Sequence, residues 1–210
     1  MTDLFGTPPD RGFTEADLLA MLDARYSPKQ TPGYPQRYLV GHHVQPPRSW
    51  AGGYTRIADA IALDRNATYP SVAVPYRSQP VSDYQRGYLA IHGFEVKVSR
   101  GDWLRELRDP SKADEWAQHC HHWWLVAPRD VVRPGELPEG WGHLAPAGRR
   151  LRQVVAAPLR EAAPMPSAAL VAVTLACLRH AEGQPPPPPE STPTPVALAA
   201  GGFVSREDRP

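Results

Sequence analysis

Asp59, Glu95 and Lys97 stand where their charge needs an explanation. Asp59 interrupts the apolar run Ile57-Ala58-Asp59-Ala60-Ile61-Ala62-Leu63. Glu95 and Lys97 alternate with Phe94, Val96 and Val98. In an extended chain successive side chains point to opposite faces. Ile57, Asp59, Ile61 and Leu63 then share one face, and Glu95 and Lys97 lie together, away from Phe94, Val96 and Val98. A charge within an apolar face is costly unless something charged meets it. A divalent ion is one such partner: it gathers a phosphate, an attacking water and the charge of the transition state. Magnesium takes oxygen ligands and is commonly held by only one or two carboxylates. A lysine two residues beyond the second carboxylate reaches the same pocket and can orient the water or stabilise developing negative charge. The competing reading is a buried Asp–Lys–Glu ion network that ties two strands together.

The flanking sequence supplies elements that would position these groups. Thr14 with Asp17 three residues on forms a capping pattern, and Leu18, Leu19, Met21 and Leu22 follow as a helical stripe to about Tyr26. Arg37 to Gln45, Arg56 to Asp64 and Gly87 to Val98 read as strands. Ser99 with Asp102 opens a helix carrying Trp103, Leu104 and Leu107. Pro110 interrupts it, and Ser111 with Asp114 caps a second helical piece to about His119. His122 to Ala127, Trp141 to Pro146 and Leu151 to Ala156 read as short strands, and Ala168 to Ala181 as a helix. The order helix, three strands, helix, strand describes an α/β chain around a central sheet.

The strings Arg56-Ile57-Ala58-Asp59-Ala60 and Gly93-Phe94-Glu95-Val96-Lys97-Val98-Ser99-Arg100-Gly101-Asp102-Trp103 resemble the PD-(D/E)XK nuclease superfamily. More closely they resemble its MmcB-like DNA repair group and phage relatives. The likeness spans roughly residues 14–160 and includes the Cys120-bearing aromatic stretch His119 to Pro128. It implies a restriction-endonuclease-like core: a central mixed sheet flanked by helices in αβββαβ order, with C-terminal additions. It implies a magnesium-dependent endonuclease acting on DNA in repair or phage DNA processing, with manganese as a substitute ion. Asp59 and Glu95 would ligate the metal together with the Val96 carbonyl, and Lys97 would assist the water. Glu15 matches an acid that some relatives carry on the first helix, and equally fits an ordinary first-turn residue. The interval from Asp59 to Glu95 is longer than a simple hairpin needs, so Asp64 and Asp83 stand as alternatives to Asp59. Gln118 and Lys112 are candidates to line the site. Arg100, Arg149 and Arg150 are candidates for phosphate contacts, or else belong to a solvated face. The rival reading is a non-catalytic nucleic-acid-binding or assembly protein that keeps the nuclease fold.

The 210 residues divide into a leader (1–12), a core (13–160), a helical segment (161–182) and a tail (183–210) containing Gln-Pro-Pro-Pro-Pro-Pro-Glu-Ser-Thr-Pro-Thr-Pro. Such a tail cannot build a core and is expected to add little stability. It could recruit a protein partner by polyproline recognition. A net charge of +1 gives no global basic signal, so nucleic-acid binding would rest on local charge. Only three lysines occur, Lys29, Lys97 and Lys112, among 23 basic residues, which makes one inside a strand conspicuous. Two cysteines make no disulfide framework, and no secretory leader or 18-residue apolar run is visible, so a cytoplasmic protein without a membrane span is expected. His119-Cys120-His121-His122 makes a poor zinc site, because neighbouring side chains diverge and no second pair follows at ligand spacing. Cys120 is expected to pack as a small hydrophobe. Of Trp123 and Trp124, one is expected in the core and the other is a candidate to stack on bases.

Overall fold

A computed structural model describes residues 12–27, 36–45, 56–67 and 88–185. The elements run α1 (Glu15–Tyr26), β1 (Tyr38–Val44), β2 (Ala58–Ala67), β3 (Tyr88–Val96) and α2 (Arg100–Leu107). A 3-10 turn (Pro110–Ala113) leads into α3 (Asp114–Ala117), then β4 (His122–Val126), β5 (Trp141–Ala147), β6 (Arg150–Val155) and α4 (Ser167–Ala181). The six strands form one sheet in chain order. β1, β2 and β3 are an antiparallel meander, β4 is parallel to both β3 and β5, and β6 returns antiparallel to β5. The protein is therefore α/β, with a mixed sheet flanked by helices.

Local sequence explains the helix starts. The Thr14 side chain accepts from the Asp17 amide, while the Asp17 carboxylate accepts from the Thr14 amide at 2.8 Å. Ser99 accepts from the Asp102 amide in the same manner. The second pattern behaves differently. Pro110 begins the 3-10 turn instead of merely ending a helix, and the Ser111 hydroxyl donates to Asp109 upstream, so Ser111 is not the cap of α3. Proline is well suited to a first helical turn, where its missing N–H removes no bond.

Alternation in the strands feeds two apolar layers. Val40, Ala60, Ala62, Phe94, Val126 and Leu144 pack with Leu18, Leu19 and Leu22 of α1. Ile61, Trp123 and Leu125 pack on the other face with Trp103 of α2, Trp116 of α3 and Val173 and Ala176 of α4. Gly41 lets α4 sit directly on β1: a Cβ there would lie 2.8 Å from the Ala176 Cβ. His43 has φ of 48°, and the side-chain alternation breaks at this point, with Val40 in one layer and Val44 in the other. Both Trp123 and Trp124 are buried, at 1% and 6% exposure, which removes the base-stacking role considered for one of the pair. Each indole crosses the neighbouring strand and lies over a glycine, Trp123 over Gly93 and Trp124 over Gly142. The Trp124 indole N–H donates to His92 Nδ1 at 3.2 Å. Cys120 is buried at 1% exposure, and burial pushes its thiol up to about 12, as suits a packed hydrophobe.

Among the described residues, no helix is long and apolar enough to cross a membrane. The proline-rich stretch from residue 186, and the residues around Asp83, lie outside the described residues.

Candidate active site

The sheet changes from antiparallel to parallel pairing at β3, and the candidate site forms where β3 ends. Ala60 pairs with Phe94, which sets Asp59 across from Glu95 at the start of β2. β3 closes at Val96, and the Lys97 amide still donates to the Val126 carbonyl at 3.0 Å. The Lys97 backbone thus continues the β3–β4 pairing one residue past the end of β3. The chain then turns through Val98 into the Ser99 cap, which brings α2 back over the site. The resulting open cleft of ≈ 350 Å³ is lined by Glu15, Asp59, Val96, Lys97, Val98, Asp102, Arg105 and Glu106.

Within the cleft, Asp59 accepts a hydrogen bond from the Val96 amide at 2.7 Å. Lys97 donates to Glu95 and sits 3.3 Å from Glu106, so one ammonium bridges two carboxylates. Arg56 approaches Glu106 at 3.4 Å. Its own backbone is held at both groups, with the amide donating to Glu115 at 3.0 Å and the carbonyl accepting from the Trp116 indole at 3.0 Å. Acids therefore outnumber bases at the centre. Burial raises the Asp59 carboxyl to about 6, against the pull of the Val96 amide and Lys97. Burial, and then Asp59 itself, raise Glu95 to about 7, against the pull of Lys97. Burial works to lower the Lys97 ammonium, but Glu95, Asp59 and Glu106 outweigh it and raise its pKa.

These shifts give a signed prediction. A carboxyl raised on folding stabilises the fold while protonated, and that stability is lost as pH rises through its folded value. For Glu95, displaced from 4.5 to about 7, the loss is on the order of 3 kcal/mol. In chelator, wild-type protein should lose stability between about pH 4.5 and 7 relative to Glu95→Gln, whose denaturant midpoint should be flatter across that range. Parallel pH profiles for the two proteins would show that Glu95 is not crowded.

The predicted groups are partly brought together. Asp59, Val96, Lys97 and Glu15 line the cleft, and Glu95 is held at it through Lys97. Glu15 is half exposed at the start of α1, with its carboxylate 3.9 Å from His43 Nε2. Asp64 faces the other layer, where Arg37 holds it at 2.9 and 2.8 Å, so it does not line the cleft. Gln118 is exposed at the end of α3 and donates to the Glu115 carbonyl, and Lys112 pairs with Asp109 at 3.6 Å; neither lines the cleft. The Arg100 guanidinium is bound to both carboxylate oxygens of Glu136 and to the Val131 carbonyl. Arg149 is exposed, and Arg150 lines a separate cleft of ≈ 480 Å³ with Arg25, Arg152, Met21, Ala24 and Leu151.

The sequence does not mark Glu106 or Arg105 as site residues, and it offers Asp102 only as the capping partner of Ser99 and Arg56 only as the start of a strand. Glu106 left a trace: it follows Trp103 by three residues, so it falls on the buried side of α2, and it is 7% exposed. A carboxylate on the inner face of a helix directly after Glu95-Val96-Lys97 is a signal in its own right.

Fold and site together define an α/β protein whose six-stranded mixed sheet ends in a cleft of crowded carboxylates around a lysine. No family model matches the chain, and no curated protein does. A solved structure of a protein of unknown function from Silicibacter pomeroyi is similar, at a TM-score of 0.46 and 17% identity, over 84% of this chain and 88% of that one.

Proposed function

We propose that this chain is a magnesium-dependent nuclease of the PD-(D/E)XK type with a restriction-endonuclease-like core, hydrolysing DNA phosphodiester bonds. The observation that carries the reading is the crowding of Asp59 and Glu95 beside Lys97, with both carboxyls raised. Carboxylates held together against their own repulsion are groups that a cation would relieve. The donor set is hard oxygen, which suits magnesium or manganese and not a soft ion. Asp59 and Glu95 would hold the ion, with the Val96 carbonyl at the same edge. Such an ion supplies charge to the phosphate and lowers the pKa of bound water. Lys97, protonated and anchored by its backbone, would orient the nucleophile or meet developing negative charge. Glu106 and Arg56 would position Lys97 from α2 and from the start of β2. Arg25, Arg150 and Arg152 offer a basic rim for a nucleic-acid backbone along the second cleft.

One observation favours the non-catalytic reading. Lys97 already meets Glu95 and Glu106, which is how a structural ion network would look. Incubating the purified chain with single-stranded, duplex, nicked and branched DNA, and with RNA, in magnesium, manganese or chelator separates the two. Cleavage in either ion, absent in chelator and in Glu95→Ala, is the expected result. An inert wild type on every substrate would reject the enzyme.

A further inference from the structure

A second cluster of ligand-type side chains lies outside the acid cleft, and its members come from three separate elements. Asp23 is near the end of α1, His42 is on β1 at the sheet edge, and His180 is in the last turn of α4. Asp23 Oδ1 lies 2.9 Å from His42 Nε2 and 3.3 Å from His180 Nε2. All three ligand atoms fall within 4.8 Å of one another, and the two imidazole rings are 4.4 Å apart, tilted by 43°. Asp23 Oδ1 and His42 Nε2 are buried, and among the described residues neither has a hydrogen-bond partner despite their close approach. A buried oxygen and a buried imidazole nitrogen normally resolve such proximity by hydrogen bonding. Here the atoms converge without donor–acceptor alignment, which is how ligands stand around a shared ion.

From this geometry we infer that Asp23, His42 and His180 form a site for a divalent transition ion of the zinc type. Two imidazole nitrogens and one carboxylate oxygen are a donor set that zinc accepts and magnesium does not prefer. The three side chains are 17–30% exposed, which leaves room for water as a fourth ligand. The ion joins the C-terminal helix to α1 and to the edge strand, so its binding holds α4 on the sheet. His42 and His180 enter as neutral imidazoles, so affinity falls on acidification. No residue of the group lines the acid cleft, so this inference does not rest on nuclease activity.

The test uses the full chain, stripped with chelator and titrated with zinc by calorimetry, with cobalt absorption as a report on nitrogen ligation. Wild type should bind one zinc ion at this site, develop a low-symmetry cobalt spectrum and melt at higher temperature with zinc. His42→Ala and His180→Gln should each weaken zinc binding at least tenfold and remove the thermal shift, with circular dichroism checking that they fold. Glu95→Gln should keep both responses. Zinc affinity unchanged in both histidine variants, or lost in Glu95→Gln alone, overturns the assignment. So does a wild type with neither binding heat nor thermal shift. If His42→Ala is unfolded, the more exposed His180→Gln decides the question by the same readouts.

Discussion

Lys97→Ala is expected to lose cleavage by about 10²–10³-fold or more, the range seen when one group that stabilises developing charge is removed. Magnesium binding should persist, because lysine supplies charge and no ligand. Its stability should depend on the ion. In chelator, Glu95 loses its ammonium partner, and among the described residues Glu106 keeps Arg56 at 3.4 Å. Removing one member of a buried ion pair costs roughly 3–5 kcal/mol. Proton uptake by Glu95, already raised to about 7, offsets part of that loss near neutral pH. Magnesium should then restore stability by taking the place of the missing positive charge. Glu95→Ala should show the complementary pattern, with cleavage and magnesium binding both lost and stability in chelator little changed. Thermal melts of wild type and both variants, with and without magnesium, together with cleavage rates, check these outcomes. A structural ion network predicts otherwise: Lys97→Ala would be destabilised whether or not magnesium is present, and wild type would cleave nothing.

Gly93→Ala should be among the most damaging single-methyl changes in the sheet. A Cβ at Gly93 would lie 2.2 Å from Trp123 Cζ3, 2.3 Å from its Cε3 and 2.8 Å from Cys120 Sγ. Trp123 is 1% exposed among Trp141, Cys120 and Leu125, so the indole has nowhere to withdraw. Overpacking a well-filled core typically costs 1–3 kcal/mol, and this contact falls at or above the upper end, about 3 kcal/mol. Gly93 stands two residues before Glu95, so any shift of β3 also moves the acid. Urea unfolding of Gly93→Ala, Trp123→Leu and the double variant measures the coupling. Partial rescue in the double variant is expected. A loss under about 0.5 kcal/mol for Gly93→Ala would contradict the packing described.

What the sequence made legible was local. Thr14 and Ser99 mark helix starts because a cap is a contact within three residues. Alternation in β2 and β3 placed Asp59, Glu95 and Lys97 together because strand parity is short-range, although their common cleft needed the antiparallel register to bring it about. What escaped depends on contacts between distant segments. Glu106 matters because α2 folds back on β3. Arg100 is taken up by Glu136, which no spacing announces. His43 breaks the parity of β1 through a single left-handed residue, invisible in a pattern of side-chain types. Asp23, His42 and His180 come from three elements far apart in the chain, so they leave no motif. One of Trp123 and Trp124 is expected outside the core because nothing local reveals that β3 offers Trp123 Gly93 and β5 offers Trp124 Gly142.

The two indole–glycine pairs also bear on the order of assembly. β1 to β3 pair antiparallel, whereas β4 pairs parallel with β3 after a connection that passes through α2 and α3. Long-range pairings form late because chain closure precedes any contact that rewards it. Trp123 and Trp124, inserting toward β3 and β5, are then expected to tighten contacts that form late in assembly. Contacts made after the rate-limiting step govern unfolding rather than folding. The lifetime of the folded molecule, and with it the persistence of the cleft at the end of β3, is then expected to shorten when either ring is cut back, which unfolding rates would check.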